Sequence, residues 1–177
     1  MRVPLRRRDQ SLPLPTYETV GAVAFDFVTR ETTVIQPKTL GLIPGNVIIE
    51  TPPGYALLIA PRSSLPRKKT LMFPHSIGII DQDYCGPGDE IMIQVYNFGE
   101  APVTVERGER IAQGIFVKCE QAEWVETEIR AKTRGGFGST GTKVCHSAFG
   151  LPSSLSPRPF DYRSGRPEAL EGRERAG

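Results

Sequence analysis

The sequence has little of several features that usually indicate a class of protein. Its 177 residues include only three cysteines, which are spaced too widely for a metal-binding pair or a disulfide framework. A reducing compartment is therefore expected, and we predict a cytoplasmic location. No apolar run is long enough to cross a membrane or has the form of a signal peptide. The formal net charge is only +2, so neither a nucleic-acid nor a membrane partner is predicted.

Glycine and proline are abundant, with 18 and 16 residues respectively. This composition favours many short strands and turns over long helices. Strands are predicted where apolar residues alternate or cluster, at Val47–Glu50, Tyr55–Ala60 and Glu90–Asn97. The weakly patterned segment Glu120–Ala131 predicts an edge strand and a loop. Since the length suits one main domain, we predict an all-β fold.

The stretch Ser76–Tyr84 reads S-I-G-I-I-D-Q-D-Y, an apolar run that ends in two carboxylates and an aromatic ring. Such an end could hold Asp81 rigid and partly desolvated, with a proton affinity open to tuning. An ordinary polar turn explains the same residues, because Asp is a common turn former. The strands predicted on either side of the turn suggest a β-hairpin over Ile77–Ile93.

Four other segments carry notable polar or glycine-rich sequences, and two of them suit a phosphate-containing ligand. Arg62–Ser64 offers a guanidinium and two hydroxyls in a tight bend after a strand. Gln113 is a polar side chain inside the predicted strand Arg110–Val117, and Asp26 is a lone carboxylate on another. The glycine-rich run Arg134–Thr142 has one aromatic residue and a backbone that could approach phosphates closely. Taken singly, each segment is explained as well by an ordinary loop, a local hydrogen bond or a disordered tail.

Together, these segments resemble the five ordered motifs of the trimeric dUTP pyrophosphatases (dUTPases). The resemblance covers residues 12–142, and five motifs in the same order are far more specific than any one of them. The matching segments are A-F-D ending at Asp26, R-S-S at Arg62–Ser64, G-I-I-D-Q-D-Y at Gly78–Tyr84, G-E-R-I-A-Q at Gly108–Gln113 and R-G-G-F-G-S-T-G at Arg134–Gly141.

The resemblance implies a jelly-roll-like, all-β homotrimer with active sites between subunits and a flexible C-terminal arm that closes over the nucleotide. It implies hydrolysis of dUTP to dUMP and pyrophosphate by attack of water on the α-phosphate, with Mg²⁺ on the triphosphate. This reaction keeps uracil out of DNA and supplies dUMP for dTMP synthesis. We expect a dUTPase-like domain in residues 1–131, the closing arm in 132–142 and a disordered, inert Pro/Ser/Arg-rich extension in 143–177.

The resemblance also implies a role for each matching residue. Asp81 would orient and deprotonate the attacking water, and Tyr84 would lie against the deoxyribose, leaving no room for a 2′-hydroxyl. Asp26 would act on the metal through water. The other substrate-binding residues would hold the phosphates (Arg62, Ser63, Ser64 and Gln113, of which Arg62 and Gln113 also serve catalysis), the uracil (His75, Ile79, Ile80 and Met92) or, from the arm, the base and phosphates (Lys132, Arg134, Phe137 and Gly138).

Three features depart from the family pattern. His75 stands where many members have an asparagine that helps to bind the base; a histidine could make a similar hydrogen bond or simply pack at the start of the strand. The turn Cys85–Asp89 is a few residues longer than usual. The arm lacks the R-G-x-G-G-F order, so the γ-phosphate contact could come from Lys132 or Arg134.

Two rival functions use the same fold. A dCTP deaminase, or a bifunctional dCTP deaminase/dUTPase, shares the R-S-S and R-I-A-Q segments but carries a catalytic glutamate where this chain has Gln94. A glutamine cannot shuttle the proton that deamination requires. A non-enzymatic trimeric nucleotide-sensing protein would be expected to lose Asp81 or the arm, and both are present. The sequence therefore favours dUTP hydrolysis.

Overall fold

Short antiparallel strands make up most of the fold. The structure is a computed structural model that describes residues 1–136 and the backbone of two short strands further along the chain. The chain divides into two units, Met1–Trp124 and Val125–Gly177. The second unit contains Phe160–Asp161 (β12), which pairs antiparallel with Arg166–Pro167 (β13). The first unit contains the strands Leu5–Arg7 (β1), Phe25–Asp26 (β2), Thr33–Ile35 (β3), Leu40–Pro44 (β4), Val47–Ile49 (β5), Tyr55–Pro61 (β6), Leu71–Met72 (β7), Gly78–Ile80 (β8), Met92–Asn97 (β9), Val103–Val105 (β10) and Ala112–Lys118 (β11), and the helix Leu65–Lys69 (α1).

The four longest strands belong to two antiparallel sheets. One has the strand order β2-β11-β6-β8 and the other β4-β9-β7, while β1 pairs with β5 and β3 with β10. Leu57 on β6 and Ile93 and Val95 on β9 belong to one buried apolar cluster that also contains Phe27. The alternation predicted for β9 is confirmed, because Ile93 and Val95 are buried while Met92 is exposed. The all-β fold class is therefore confirmed.

The ladder between β6 and β11 is the longest in the described part of the chain, with seven residue pairs. Close packing beside it requires glycine at position 114, because a Cβ there would lie 2.7 Å from Phe25 Cζ and 2.8 Å from Phe27 Cε2. The two phenyl rings meet edge to face with their centroids 5.2 Å apart. This ladder brings Gln113, near the start of β11, to the end of β6 from which Arg62 follows.

The prediction of a β-hairpin over Ile77–Ile93 is wrong. Strand β8 pairs with β6, whereas β9 pairs with β4 and, at Tyr96 and Asn97, with β7. The two strands thus belong to different sheets. The long turn Cys85–Asp89 gives the chain room to cross between the sheets, and an alternating sequence pattern carries no information about which neighbour a strand selects.

Two smaller predictions also need correction. The tight bend at Arg62–Ser64 is present, since Leu65 N–H donates to the Arg62 carbonyl at 2.9 Å, but it leads into the helix α1, which was not predicted. Pro66 lies in the first turn of α1, where its missing N–H costs no helical hydrogen bond. This five-residue helix is far too short to cross a membrane, and no other helix occurs among the described residues. The edge strand predicted within Glu120–Ala131 does not form.

Candidate active site

The predicted catalytic residues form two groups at opposite ends of β6. Arg62 follows the last residue of β6, and Arg110 and Gln113 lie at the same end. Asp81 follows β8, whose register with β6 puts it beside Ala56 at the other end. Six residue steps along the strand separate Ala56 from Arg62, which corresponds to about 20 Å at the usual rise of a strand. A single chain therefore does not bring Asp81 and Arg62 to one phosphate group.

A buried carboxylate organises the group around Arg62. Asp26 is only 7% exposed, and its Oδ1 lies 3.3 Å from Arg62 Nε. Its Oδ2 lies 3.3 Å from Arg110 Nη1 but is buried without a hydrogen-bond partner in the described structure. Arg110 also donates to Glu18, and this hydrogen bond raises the pKa of Arg110 and lowers the pKa of Glu18. Asp26 thus holds two guanidinium groups whose remaining N–H donors can bind an anion.

Gln113 belongs to the same group through the ladder. It is opposite Asp26 on one side of β11 and opposite Ala60 on the other. Its Nε2 donates to the Pro61 carbonyl at 3.2 Å, which fixes the amide and leaves its second N–H for another acceptor. The structure therefore brings Asp26 of the first motif together with the predicted phosphate-binding residues Arg62 and Gln113 of the second and fourth motifs.

A basic cleft of about 340 Å³ lies beside this group. Ser63 is exposed next to it, and the Ser64 hydroxyl makes no capping bond to α1. Lys69 is occupied by the Thr104 carbonyl at 2.6 Å and by the Glu109 carboxylate at 2.8 Å. The polar side chains that line the cleft are mostly basic, with one acid among them: Arg62, Ser64, Lys68, Lys69, Glu109 and Arg110.

The second group is formed by Asp81 and Tyr84. Asp81 lines a separate cleft of about 780 Å³ together with Tyr55 and Ala56. Its side chain is exposed, so the partial desolvation predicted for it is not provided by its own chain. The Asp81 carbonyl accepts from Tyr84 N–H at 3.3 Å, and the Tyr84 hydroxyl donates to the Glu90 carbonyl at 3.2 Å. Tyr84 is therefore held by both its backbone N–H and its side-chain hydroxyl.

A third feature is a cavity of about 290 Å³ between β8 and β9, lined on one side by Gly78, Ile79 and Ile80 and on the other by Met92, Ile93 and Gln94. Strand β8 is an edge strand paired only with β6, and the first residues of β9 are paired only with β4. Backbone N–H and C=O groups require partners. Those of the facing strand edges can therefore pair with a flat polar ligand, and the predicted base-binding residues Ile79, Ile80 and Met92 meet here.

His75 lies at this cavity, as predicted for a base-binding residue. Its ring stacks on Phe73 with the centroids 5.8 Å apart and the planes 14° from parallel. Its Nε2 is 3.4 Å from the position that a Cβ would take on Gly78. The two interpretations of His75 are compatible, because it packs at the start of the strand while facing the cavity.

The arm residues are only partly described. Lys132 and Arg134 are exposed in the second unit, where Gly135 N–H donates to Thr133 Oγ1 at 3.2 Å. Phe137 and Gly138 lie outside the described residues. The contacts assigned to these four residues therefore stay predictions.

Sequence reasoning missed two arginines that the geometry makes prominent. Arg110 was part of the quoted G-E-R-I-A-Q motif, and its position three residues before Gln113 was a signal that could have assigned it. Arg30 forms a bidentate pair with the buried carboxylate of Glu90, with Nε–Oε1 at 2.8 Å and Nη2–Oε2 at 3.0 Å. The hydrogen bond to Glu90 raises the pKa of Arg30. Sixty residues separate the partners, and no local pattern joins them.

Comparison with known proteins identifies the family. A family model described as dUTPase matches residues 10–141, close to the predicted range of 12–142. This chain belongs to the dUTPase family. The resemblance noted in the sequence is thereby confirmed.

Individual dUTPases agree with this assignment. The deoxyuridine 5'-triphosphate nucleotidohydrolase of Shewanella pealeana is 40% identical over 137 residues, which cover 74% of this chain and 88% of that protein. That of Erwinia tasmaniensis is 41% identical over 135 residues, covering 73% and 87%. The crystal structure of the dUTPase from Streptococcus mutans superposes with a TM-score of 0.63 at 31% identity, covering 68% of this chain and 98% of that one. The predicted dUTPase fold is therefore confirmed.

Proposed function

We propose that this protein hydrolyses dUTP to dUMP and pyrophosphate. The observation that carries the proposal is the cavity between β8 and β9, which is bordered by unpaired strand edges and is lined by Ile80, the residue before Asp81. Strand edges present a fixed order of donors and acceptors at a fixed spacing. An edge whose order matches uracil opposes the reversed donor and acceptor pattern of cytosine, and discrimination of this kind can reach about 10⁴-fold.

The active site is proposed to form between the subunits of a homotrimer. The two groups at the ends of β6 are about 20 Å apart along the strand, whereas one substrate must contact both. A second observation supports association: the outer face of the β4-β9-β7 sheet exposes large apolar side chains. These are Leu40 at 58%, Leu42 at 57%, Met72 at 43% and Met92 at 40% exposure.

Asp81 is proposed to be the general base. It would accept a proton from a water molecule as the water oxygen forms a bond to the α-phosphorus, and the bond to the bridging oxygen breaks to release pyrophosphate. A subunit placed over the exposed cleft around Asp81 would exclude solvent from its carboxylate. Tyr84 would hold the deoxyribose, so that the α-phosphorus lies at a defined distance from Asp81.

The group around Asp26 is proposed to bind the triphosphate of a neighbouring subunit's nucleotide. Arg62 and Arg110 would donate charge-assisted hydrogen bonds to phosphate oxygens, and Gln113 would donate its second N–H to the α-phosphate. Fixed donors of this kind stabilise the negative charge that moves onto the leaving pyrophosphate. Ser63 and Ser64 would add hydroxyl contacts, and Lys132 or Arg134 would reach the γ-phosphate from the arm.

Mg²⁺ is proposed to enter with the triphosphate. No cluster of three or more His, Cys, Asp or Glu side chains suited to a metal occurs in the part of the chain that the structure describes. The ion would therefore be bound by phosphate oxygens and water, as Mg²⁺ often is. Asp26 fits the predicted role of contacting such water, since its Oδ2 is buried and lacks a hydrogen-bond partner. When bound, the ion would neutralise charge on the phosphates.

Neither rival function is favoured by a feature of the site. Gln94, at the position of the deaminase glutamate, lines the cavity between β8 and β9 but cannot transfer a proton. A non-enzymatic nucleotide sensor would not need a carboxylate at Asp81. A cytoplasmic location stays a prediction from the cysteine content.

The test is release of pyrophosphate from dUTP in the presence of Mg²⁺. We expect release by the wild type and a loss of about 10²- to 10⁴-fold in kcat for Asp81→Asn, because a general base contributes that much. Asp83→Asn, in the same turn, is the matched control and should retain activity. Equal rates for the wild type and Asp81→Asn would contradict the mechanism, and ammonia release from dCTP would support the deaminase instead.

A further inference from the structure

The lengthened turn after Tyr84 is shaped by its own hydrogen bonds. Gly86 N–H donates to Asp89 Oδ2 at 2.7 Å, and Asp89 N–H donates back to the Gly86 carbonyl at 3.0 Å. A Cβ at position 86 would lie 2.9 Å from the same Asp89 oxygen. Arg8 Nη1 adds a contact to the Pro87 carbonyl at 3.1 Å. The extra residues therefore form a defined loop that joins two strands of different sheets.

The end of this loop is anchored by a buried charge. Glu90 is 7% exposed, and both of its carboxylate oxygens bind Arg30. Its Oε1 also accepts from the backbone N–H of Asn46 at 3.0 Å. A bidentate arginine pair with a third donor fixes both the position and the orientation of the carboxylate.

Glu90 also holds the side chain of Tyr84. The Tyr84 hydroxyl donates to the Glu90 carbonyl at 3.2 Å. Since β8 and β9 are not paired, no ladder hydrogen bond fixes the distance between Tyr84 and the start of β9. The path from the ring through the Glu90 backbone and carboxylate to Arg30 provides such a fixed connection.

We propose that Glu90, held by Arg30, is a positioning residue that sets the place of the Tyr84 ring and thereby the discrimination between dUTP and the ribonucleotide UTP. The inference rests on the proposed function, in which Tyr84 lies against the deoxyribose. Excluding a single hydroxyl by steric contact requires a wall that does not yield, because a ring that moves by a few tenths of an ångström relieves the contact. A carbonyl tied to a buried ion pair supplies that rigidity.

Stability alone does not account for this arrangement. Buried ion pairs are often no more stabilising than apolar residues of similar size, because both charges lose their hydration. A purely structural pair would affect dUTP and UTP hydrolysis alike. A pair that positions Tyr84 would change the ratio of dUTP hydrolysis to UTP hydrolysis. Measuring this ratio therefore separates a positioning role from a purely structural one.

The experiment compares kcat/KM for dUTP and for UTP in three variants. Glu90→Gln removes the charge but keeps the shape, Arg30→Lys keeps the charge but loses the bidentate fork, and Tyr84→Phe removes the hydroxyl without touching the ion pair. We expect the dUTP-to-UTP ratio to fall about fivefold in Tyr84→Phe and Glu90→Gln, the equivalent of one hydrogen bond, and less in Arg30→Lys. The double variant Tyr84→Phe/Glu90→Gln should fall no further than either single variant.

Glu100→Gln is the matched control, because it breaks the exposed Lys38–Glu100 pair and should leave the ratio unchanged. An unchanged ratio in Glu90→Gln, with both activities lowered alike, would overturn the inference. If Glu90→Gln does not fold, an unchanged ratio in Tyr84→Phe overturns it equally. Tyr84→Ala separates failure of this inference from failure of the proposed function. If Tyr84→Ala keeps the dUTP-to-UTP ratio, Tyr84 does not contact the sugar and the proposed role of Tyr84 fails. If the ratio falls in Tyr84→Ala but not in Glu90→Gln, only the anchoring role of Glu90 is refuted.

Discussion

Two impaired variants of this protein should recover activity when they assemble together. Asp81→Asn damages the group at one end of β6 and Arg62→Ala the group at the other, and the two groups are about 20 Å apart along the strand. If each site takes one group from each of two neighbouring subunits, a mixed trimer can contain a site with both groups intact. The prediction therefore tests whether the site is shared between subunits.

The expected recovery follows from counting. In a cyclic trimer that contains both kinds of subunit, just one of the three neighbouring pairs places an intact Asp81 group beside an intact Arg62 group, so about one third of the sites in purified mixed trimers carry both groups. The background should be low, since loss of a general base costs about 10²- to 10⁴-fold and loss of a charge-assisted hydrogen bond about 10-fold or more. Specific activity near one third of the wild-type value should then be easily measured.

The assay is pyrophosphate release after co-expression with two different affinity tags and tandem purification of the mixed trimers. Arg62→Ala mixed with Gln113→Ala is the matched control, because both changes lie in one group and no mixed site escapes both defects. Mixed trimers of Asp81→Asn and Arg62→Ala that are no more active than the parents would refute a shared site. Recovery in the control pair would refute the division into two groups.

Three further outcomes are expected. Gly114→Ala should lower the free energy of unfolding by about 1–3 kcal/mol in urea titrations, since its Cβ would lie 2.7 Å from a phenylalanine ring; an unchanged midpoint would mean that the ring moves freely. Leu40→Asp should shift the mass measured by light scattering towards the monomer, whereas Val20→Asp, an exposed residue outside the β4-β9-β7 sheet, should not. The pair of Glu18 with Arg110 lowers the pKa of Glu18 below its usual 4.5, so its small stabilising effect is present above that pH and is lost as the pH falls through the lowered pKa. A difference in thermal midpoint between the wild type and Glu18→Gln that grows on acidification would contradict this sign.

Much of the fold could be predicted because its signals are local. Alternation along β9 and the apolar run of β6 predict strands directly, and the abundance of glycine and proline predicts that strands are short. The hairpin over Ile77–Ile93 failed for a physical reason: the pattern shows that two strands exist and which faces they bury, but hydrogen-bond partners are chosen by tertiary packing. A longer turn than the family usually has was the available warning.

The candidate site, like the fold, could be predicted only in part. Asp26, Arg62 and Gln113 were selected from ordered motifs, and the structure brings them together at one end of β6. The partnership of Arg30 with Glu90 could not be predicted, because each is an ordinary charged residue in its own segment. The exposure of Asp81 in a single subunit was not predicted. The sequence of one chain does not show whether a carboxylate is buried by its own chain or only by contact with another copy.

The open edge of β8 has a consequence for solubility. A strand edge with unpaired backbone groups is the surface by which sheets recruit foreign strands and begin to aggregate, and Ile77 and Ile79 beside it are 48% and 66% exposed. Recognition of a base and self-association would then compete for the same polar groups. A non-hydrolysable dUTP analogue should accordingly slow aggregation of this protein at concentrations near its Kd, and substitutions that protect the edge with charge should do so at the expense of substrate affinity.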